Sequence, residues 1–409
     1  MDKQDIVAAA ENLYRVLTPT RLEKNERLSK IYNAEIYLKR EDQQIVRSYK
    51  IRGAYNAIST LSEVEKKKGV VCASAGNHAQ GVALCCKLLG VKGVIYMPEV
   101  TPKQKVDRVR SLGENLIEIK LIGRTFDDTK NSAIEYTNAN KMVFIHPFDD
   151  FKVIAGQATV GLEIEKQLGD VDIVLVPVGG GGLLAGVCTY FEGLNVEVVG
   201  VDQDSAPKLI KAKENKSPIK LEKIDTFVDG CAVKEIGEKT FAIISKLCYN
   251  IFSVEIGRIC EKMLDIYQSD GIILEPAGAV SLAGLDKIKD KIIGKKVVCV
   301  LSGGNNDVSR YPEIIERALV FKGLKHYFLV DFVQRPNELR NFLDKVLGKN
   351  DDIVRFEYLK KTNRESGSAL VGLEFIDYND YENLILNLDK FGINYKEITN
   401  DSILYSFII

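Results

Sequence analysis

At 409 residues the chain is too long for one ordinary domain, and length alone predicts roughly two or three. Its 45% apolar and 28% charged residues are the balance of a soluble globular protein with a real core, not of a disordered or fibrous one. A formal net charge of -1 leaves no electrostatic reason to expect nucleic acid or an anionic membrane as a partner.

The first residues, 1–17, lack a basic stretch followed by a long apolar run, so they do not read as a secretory signal. No run approaches the roughly 18 apolar residues of a membrane helix. The eight cysteines (Cys72, Cys85, Cys86, Cys188, Cys231, Cys248, Cys260, Cys299) form no CxxC pair. They predict reduced, mostly buried thiols in a cytoplasmic protein. The three histidines, His78, His146 and His326, are far apart, and no metal centre is expected.

From about Tyr37 to Leu301, short apolar runs alternate with helical segments. The predicted strands are Ile36–Lys39, Val70–Ala73, Gly93–Met97, Asn115–Lys120, Met142–Ile145, Ile173–Val178, Val196–Val201 and Lys296–Leu301. Between them fall helices at Tyr49–Leu61, His78–Leu89, Pro102–Leu112, Arg124–Asn138, Ile154–Leu168 and Leu183–Glu192. Alternation of this kind predicts an α/β fold with parallel sheets and crossover helices, and continuous apolar strands predict sheets covered on both faces. After about Phe321 the pattern changes. Strands at His326–Gln334, Asp352–Lys361, Ala369–Asp377, Tyr395–Ile398 and Ile403–Ile409 bracket helices at Asn337–Leu347 and Tyr381–Phe391. That is a βαββαβ-like, ferredoxin-type order, reached through a short linker near Lys322 and Gly323.

In open α/β sheets, ligands sit at the carboxyl ends of strands. Four segments there carry unusual residues. Ser48 reads as a helix cap with Lys50 in the first turn, where the helix dipole disfavours an ammonium and favours a neutral, nucleophilic amine. A solvated surface lysine is the alternative. Ser74-Ala75-Gly76-Asn77-His78 follows a strand, and its small residues open backbone N–H groups to a carboxylate; a plain strand–helix turn is the alternative, and His78 reads as a local hydrogen-bonder. Gly179-Gly180-Gly181-Gly182-Leu183 follows strand Ile173–Val178 and can cradle a phosphate at a helix N-terminus. Ser302-Gly303-Gly304-Asn305 places a hydroxyl at a strand end, where a capping serine is the default. The stretch Gly180 to Ala185 also satisfies G-x-G-x-x-A with Asp202 ending the next strand, a dinucleotide (NAD) pattern that would mark an oxidoreductase. That reading leaves the serine and lysine segments unexplained.

In order and spacing these segments resemble the fold-type II pyridoxal-phosphate enzymes, above all the threonine dehydratase (threonine deaminase) family, over essentially the whole chain. Glu275-Pro276-Ala277-Gly278-Ala279 also matches it. The resemblance implies two parallel-sheet subdomains in a catalytic domain over 1–321, the smaller at roughly 48–150, and an ACT-like regulatory domain over 325–409. It implies that Lys50 holds pyridoxal 5'-phosphate and removes the α-proton. Asn77 would bond the ring's 3-oxygen, and Gly179, Gly180, Gly181, Gly182 and Leu183 would hold the phosphate. Ser302 would face the pyridine nitrogen, while Ser74, Ala75, Gly76, Asn77 and His78 would hold the substrate carboxylate. Glu275 would orient the cofactor or bind a cation. The reaction implied is L-threonine to 2-oxobutanoate and ammonia, with a serine-preferring dehydratase as the alternative. Serine racemase-like relatives carry a serine where this chain has Ala75, which favours a one-faced dehydratase. The segments Phe332 to Arg340 and Asp351 to Tyr358 resemble the single ACT-like domain of the short biosynthetic form, with Pro336-Asn337 where the family more often has Pro-Gly. They imply isoleucine inhibition, valine activation and a homotetramer or homodimer.

Overall fold

The computed structural model describes residues 1–358, 366–405 and 407, in two compact units, Met1–Asp307 and Val308–Ile409. Parallel neighbours cannot be joined by a tight turn and need a crossover, so the helical runs between the predicted strands decide the topology of the first unit. Its larger sheet has six strands in the order Leu22–Lys24, Glu35–Arg40, Lys296–Leu301, Ile173–Pro177, Glu197–Gln203, Asn250–Val254. Only the edge pairing of Leu22–Lys24 with Glu35–Arg40 is antiparallel. The smaller sheet has four parallel strands in the order Ile117–Leu121, Gly93–Met97, Val70–Ala73, Val143–Phe144.

All eight strands predicted for this unit are present. Ile173–Pro177, Gly93–Met97 and Val70–Ala73 are buried along their whole length, as strands covered on both faces must be. Helices Phe151–Leu168 and Gly182–Phe191 pack one core, around Ile154, Ala158, Leu184 and Val187. Helices Lys50–Ser59 and Asn77–Leu89 pack another, around Ile51, Ile58, Val82 and Cys85. Two strands escape the sequence reading, Leu22–Lys24 and Asn250–Val254. Both are sheet edges, half open to solvent, so neither carries a continuous apolar run. All eight cysteines are buried and none forms a disulfide. Among the described residues, no helix is long and apolar enough to cross a membrane.

The second unit opens with helix Tyr311–Phe321. Its four-stranded sheet runs in the order Asp352–Tyr358, Ser366–Glu374, Lys325–Val333, Tyr395–Glu397, antiparallel throughout. Helices Glu338–Lys345 and Tyr378–Lys390 complete the βαββαβ sandwich around Phe328, Phe332, Phe342, Leu373 and Leu384. The last predicted strand, Ile403–Ile409, is corrected: Ser402–Tyr405 is a short helix. Asp401 captures it, its Oδ1 accepting the Leu404 N–H at 3.2 Å, so local capping overrides the apolar pattern. Leu359–Lys361, within a predicted strand, and Ser406, Ile408 and Ile409 lie outside the described residues.

Candidate active site

The loops that leave the carboxyl ends of Val70–Ala73, Ile173–Pro177 and Lys296–Leu301 converge on one cleft of about 320 Å³. Lys50, Ser74 to His78, Gly179, Gly180, Glu275, Ser302 and Asn305 all line it. Segments as far apart in the chain as Lys50 and Ser302 therefore share one wall.

Lys50 is the first residue of helix Lys50–Ser59. The predicted cap is corrected: Tyr49 holds the cap position without a side-chain bond, because Ser48 is buried in a backbone bridge to Gly303. The Lys50 Nζ donates to the Pro147 carbonyl at 2.8 Å and lies 5.3 Å from the Tyr49 ring centre. Burial pushes its ammonium down to about 8, against the pull of Cys231 and Glu275. A neutral amine is thus within reach near physiological pH, and a solvated surface lysine is excluded.

Asn77 opens helix Asn77–Leu89. Its Nδ2 donates to Glu275 Oε1 at 2.6 Å, and its Oδ1 accepts from Asn305 Nδ2 at 2.7 Å. Two partners on other loops therefore set the amide's orientation. The Ser74 Oγ accepts the Gly76 N–H at 3.1 Å, which tightens the loop ahead of the helix N-terminus. His78 is buried, its Nε2–H donating to the Ile145 carbonyl at 2.9 Å, and burial pushes its ring down to about 3. It stays neutral and local. Ser302 is buried with its Oγ donating to the Ala277 carbonyl at 3.1 Å. Its hydroxyl keeps lone pairs free to accept.

Gly179 and Gly180 face the cleft, while Gly181, Gly182 and Leu183 start the helix behind them. Gly181 has φ +91°, a conformation that favours glycine. A Cβ on Gly180 would lie 2.3 Å from the Phe148 ring. The first N–H groups of helix Gly182–Phe191 have no intrahelical partner and carry the positive end of its dipole. We expect Gly180→Ala to weaken cofactor binding by at least about tenfold, because Phe148 must shift and the turn with it; titration of the apo-protein, followed by absorbance, measures this, and unchanged affinity would count against the turn as an anion site.

The dinucleotide reading fails at its acid. Asp202 is fully buried, its Oδ1 accepting from Lys208 Nζ at 2.6 Å and its Oδ2 from the Leu209 N–H at 3.1 Å. No oxygen is left for a ribose. The same Lys208 donates to the Val178 carbonyl at 3.0 Å, so the pair braces the strand end that launches the glycine turn. Sequence reading missed this brace, the Asn305 contact and the His146–Asp149 turn; what ties each to the site is a partner remote in the chain, Val178 for Lys208, Asn77 for Asn305, and Lys50 and Thr240 for the turn.

The cleft fits an aromatic aldehyde phosphate: one amine of lowered basicity, a glycine turn at a helix N-terminus, an oriented amide and a neutral hydroxyl. A family model for "Pyridoxal-phosphate dependent enzyme" matches residues 13–303, and one for the "C-terminal regulatory domain of Threonine dehydratase" matches 316–408. The chain is 48% identical over 409 residues to the biosynthetic L-threonine dehydratase of Halalkalibacterium halodurans, covering 99% of each. It is 48% identical over 410 residues to that of Bacillus subtilis, covering 99% of this chain and 96% of the relative. Among solved structures, the processed form of threonine deaminase isoform 2 from Solanum lycopersicum is 41% identical with a TM-score of 0.74, over 77% of this chain and 93% of that one. Serine racemase from Dictyostelium discoideum is 32% identical with a TM-score of 0.70, over 75% and 99%. The chain belongs to the pyridoxal-phosphate-dependent threonine dehydratases of the biosynthetic type, with a fold-type II catalytic unit followed by a C-terminal regulatory domain.

Proposed function

We propose that Lys50 is the base that removes the α-proton as this lyase converts L-threonine to 2-oxobutanoate and ammonia. The observation that carries it is the Lys50 amine, lowered to about 8, in the same cleft as the Gly179–Gly180 turn, Asn77 and Ser302. When bound, pyridoxal phosphate supplies the electron sink for the charge left at the α-carbon. Lys50 would anchor it and would take the α-proton at Nζ, an amine that the Pro147 carbonyl holds at 2.8 Å. Asn77, held by Glu275 and Asn305, would present its amide to the ring's 3-oxygen. With the group bound, the Ser302 hydroxyl, which donates to the Ala277 carbonyl at 3.1 Å, would face the ring nitrogen as a neutral partner, and unlike a carboxylate it would not hold a proton there. A ring nitrogen left unprotonated would draw less charge from the α-carbon, which would favour loss of the β-hydroxyl over reprotonation. Ser74 and the N-terminus of helix Asn77–Leu89 receive the substrate carboxylate. Ala75 offers no proton on the opposite face, which supports elimination rather than racemisation.

Comparing kcat/KM for threonine and serine tests the substrate: threonine should be preferred by at least about tenfold, and an equal or better value for serine would overturn the assignment. For the second unit we read isoleucine as an inhibitor and valine as an activator, supported by the regulatory-domain match over 316–408. Such coupling requires each effector to bind two states unequally, and it is reciprocal. Isoleucine should therefore raise half-saturating threonine at least about fivefold, with valine reversing it; turnover indifferent to isoleucine would refute this. We read the assembly as a homotetramer or homodimer, a question for mass measurement in solution. Eight buried thiols without a disulfide support a cytosolic location.

A further inference from the structure

Between strand Val143–Phe144 and helix Phe151–Leu168, residues 145–150 touch several parts of the site at once. The Pro147 carbonyl accepts from Lys50 Nζ at 2.8 Å. The Phe148 ring lies where Gly180 has no side chain. Asp149 Oδ1 accepts the Thr240 N–H at 3.1 Å, and Thr240 Oγ1 donates to the Gly180 carbonyl at 2.8 Å. This one turn thus meets both the amine and the glycine loop.

His146 holds the turn in shape. Its Nδ1 accepts the Asp149 N–H at 2.7 Å and the Phe148 N–H at 3.3 Å. Its ring meets Phe148 edge-on, centres 4.7 Å apart at 88°, and Phe144 at 6.1 Å and 66°. An Nδ1 that faces two N–H donors carries the lone pair, so the proton sits on Nε2 and the ring is neutral. Burial, helped by Lys130, holds it so by pushing the ring down to about 3. A histidine engaged in this way is unsuited to proton transfer through Nδ1, yet the Phe148 N–H it accepts belongs to the same peptide group as the Pro147 carbonyl that meets the Lys50 amine.

The geometry points to His146 as a positioning residue for this reaction: by accepting two backbone N–H groups at Nδ1, it sets the Pro147 carbonyl against Lys50 and Phe148 against the glycine turn as one rigid piece. The inference rests on the proposed roles of Lys50 and the glycine turn. Two variants separate its parts. His146→Asn keeps an acceptor near the Nδ1 position and loses the ring; His146→Phe keeps the aromatic packing with Phe144 and Phe148 and loses the acceptor. Affinity of the apo-protein for pyridoxal phosphate should stay within about threefold of the parent in H146N and fall at least about tenfold in H146F, the scale of a lost buried hydrogen-bond acceptor. The pH midpoint for labelling of the Lys50 amine in the apo-protein should stay in H146N and move by at least about half a unit in H146F. A merely structural histidine would lower the unfolding midpoint of H146F while leaving affinity and labelling midpoint unchanged, and that result overturns the inference. So does H146N impaired as severely as H146F. Failure of the underlying reading shows separately, as parent protein in which borohydride traps no cofactor on Lys50.

Discussion

Lys50→Ala should lower 2-oxobutanoate formation from threonine at least about 10³-fold and leave no cofactor attached to the chain after borohydride treatment. The cleft has one other lysine among its lining residues, Lys105, whose Nζ is committed to Asp229 at 2.9 Å. Among the described residues that line the cleft, no second free amine is placed to stand in. The same group predicts a pH signature before any turnover. An amine lowered from 10.5 to about 8 is mostly ammonium below that value and mostly free above it. Capture of pyridoxal phosphate by the apo-protein should therefore accelerate about tenfold per pH unit below about 8 and level off above it. A rate that keeps climbing well above about 9 would mean that burial does not depress this amine, and full activity in Lys50→Ala would remove it from the mechanism.

The second large effect is on stability. Arg52 lies one helical turn in from the Tyr49 cap and is almost wholly buried. Its guanidinium grips Glu41 with Nε and Nη2, each at 2.8 Å, and Glu163 with Nη1 at 2.6 Å and Nη2 at 2.8 Å. Lys39 Nζ adds a bond to Glu163 at 2.7 Å and one to the Thr20 carbonyl at 2.8 Å. Two buried cations thus balance two buried carboxylates. Burial works against both charges and is overcome: the two carboxylates hold the guanidinium above its already high ordinary value, and Arg52 with Lys39 holds Glu163 below the usual carboxylate range. Arg52→Met leaves two carboxylates with one ammonium in a site that water does not reach. The expected loss is about 3–5 kcal/mol, read as a lowered denaturant midpoint of the catalytic unit. Arg52→Lys should recover little, because one ammonium cannot span both carboxylates in paired fashion. A loss below about 1 kcal/mol for Arg52→Met would show that the cluster relaxes or takes in water. The network ties the helix that carries Lys50 to the turn after Glu35–Arg40 and to helix Phe151–Leu168.

Much of the fold was legible because its central strands are covered on both sides. Burial on two faces demands unbroken apolar runs such as Ile173–Pro177, and such runs show in any window of sequence. Edge strands Leu22–Lys24 and Asn250–Val254 lack that demand and left no trace. Ser402–Tyr405 was misread because Asp401 caps it locally, its Oδ1 accepting the Leu404 N–H and its carbonyl the Tyr405 N–H, which the apolar pattern does not reveal.

The sequence by itself determined where the cleft-lining segments lie: Asn77, the Gly179–Gly180 turn and Ser302 come in the loops directly after strands, where backbone N–H groups and small residues are concentrated, and Lys50 opens a helix. Only the tertiary structure decided how they are set. Asn77 takes its orientation from Glu275, 198 residues on, and Asn305, 228 residues on. Lys50 owes its lowered basicity mainly to burial, where the sequence pointed to the helix dipole. Asp202, poised in sequence for a ribose, is fully buried and paired with Lys208, which also donates to the Val178 carbonyl 30 residues back. Periodicity and turn chemistry are local and survive in one dimension; desolvation, charge pairing and hydrogen-bond direction depend on which distant side chains the packing brings within a few ångströms.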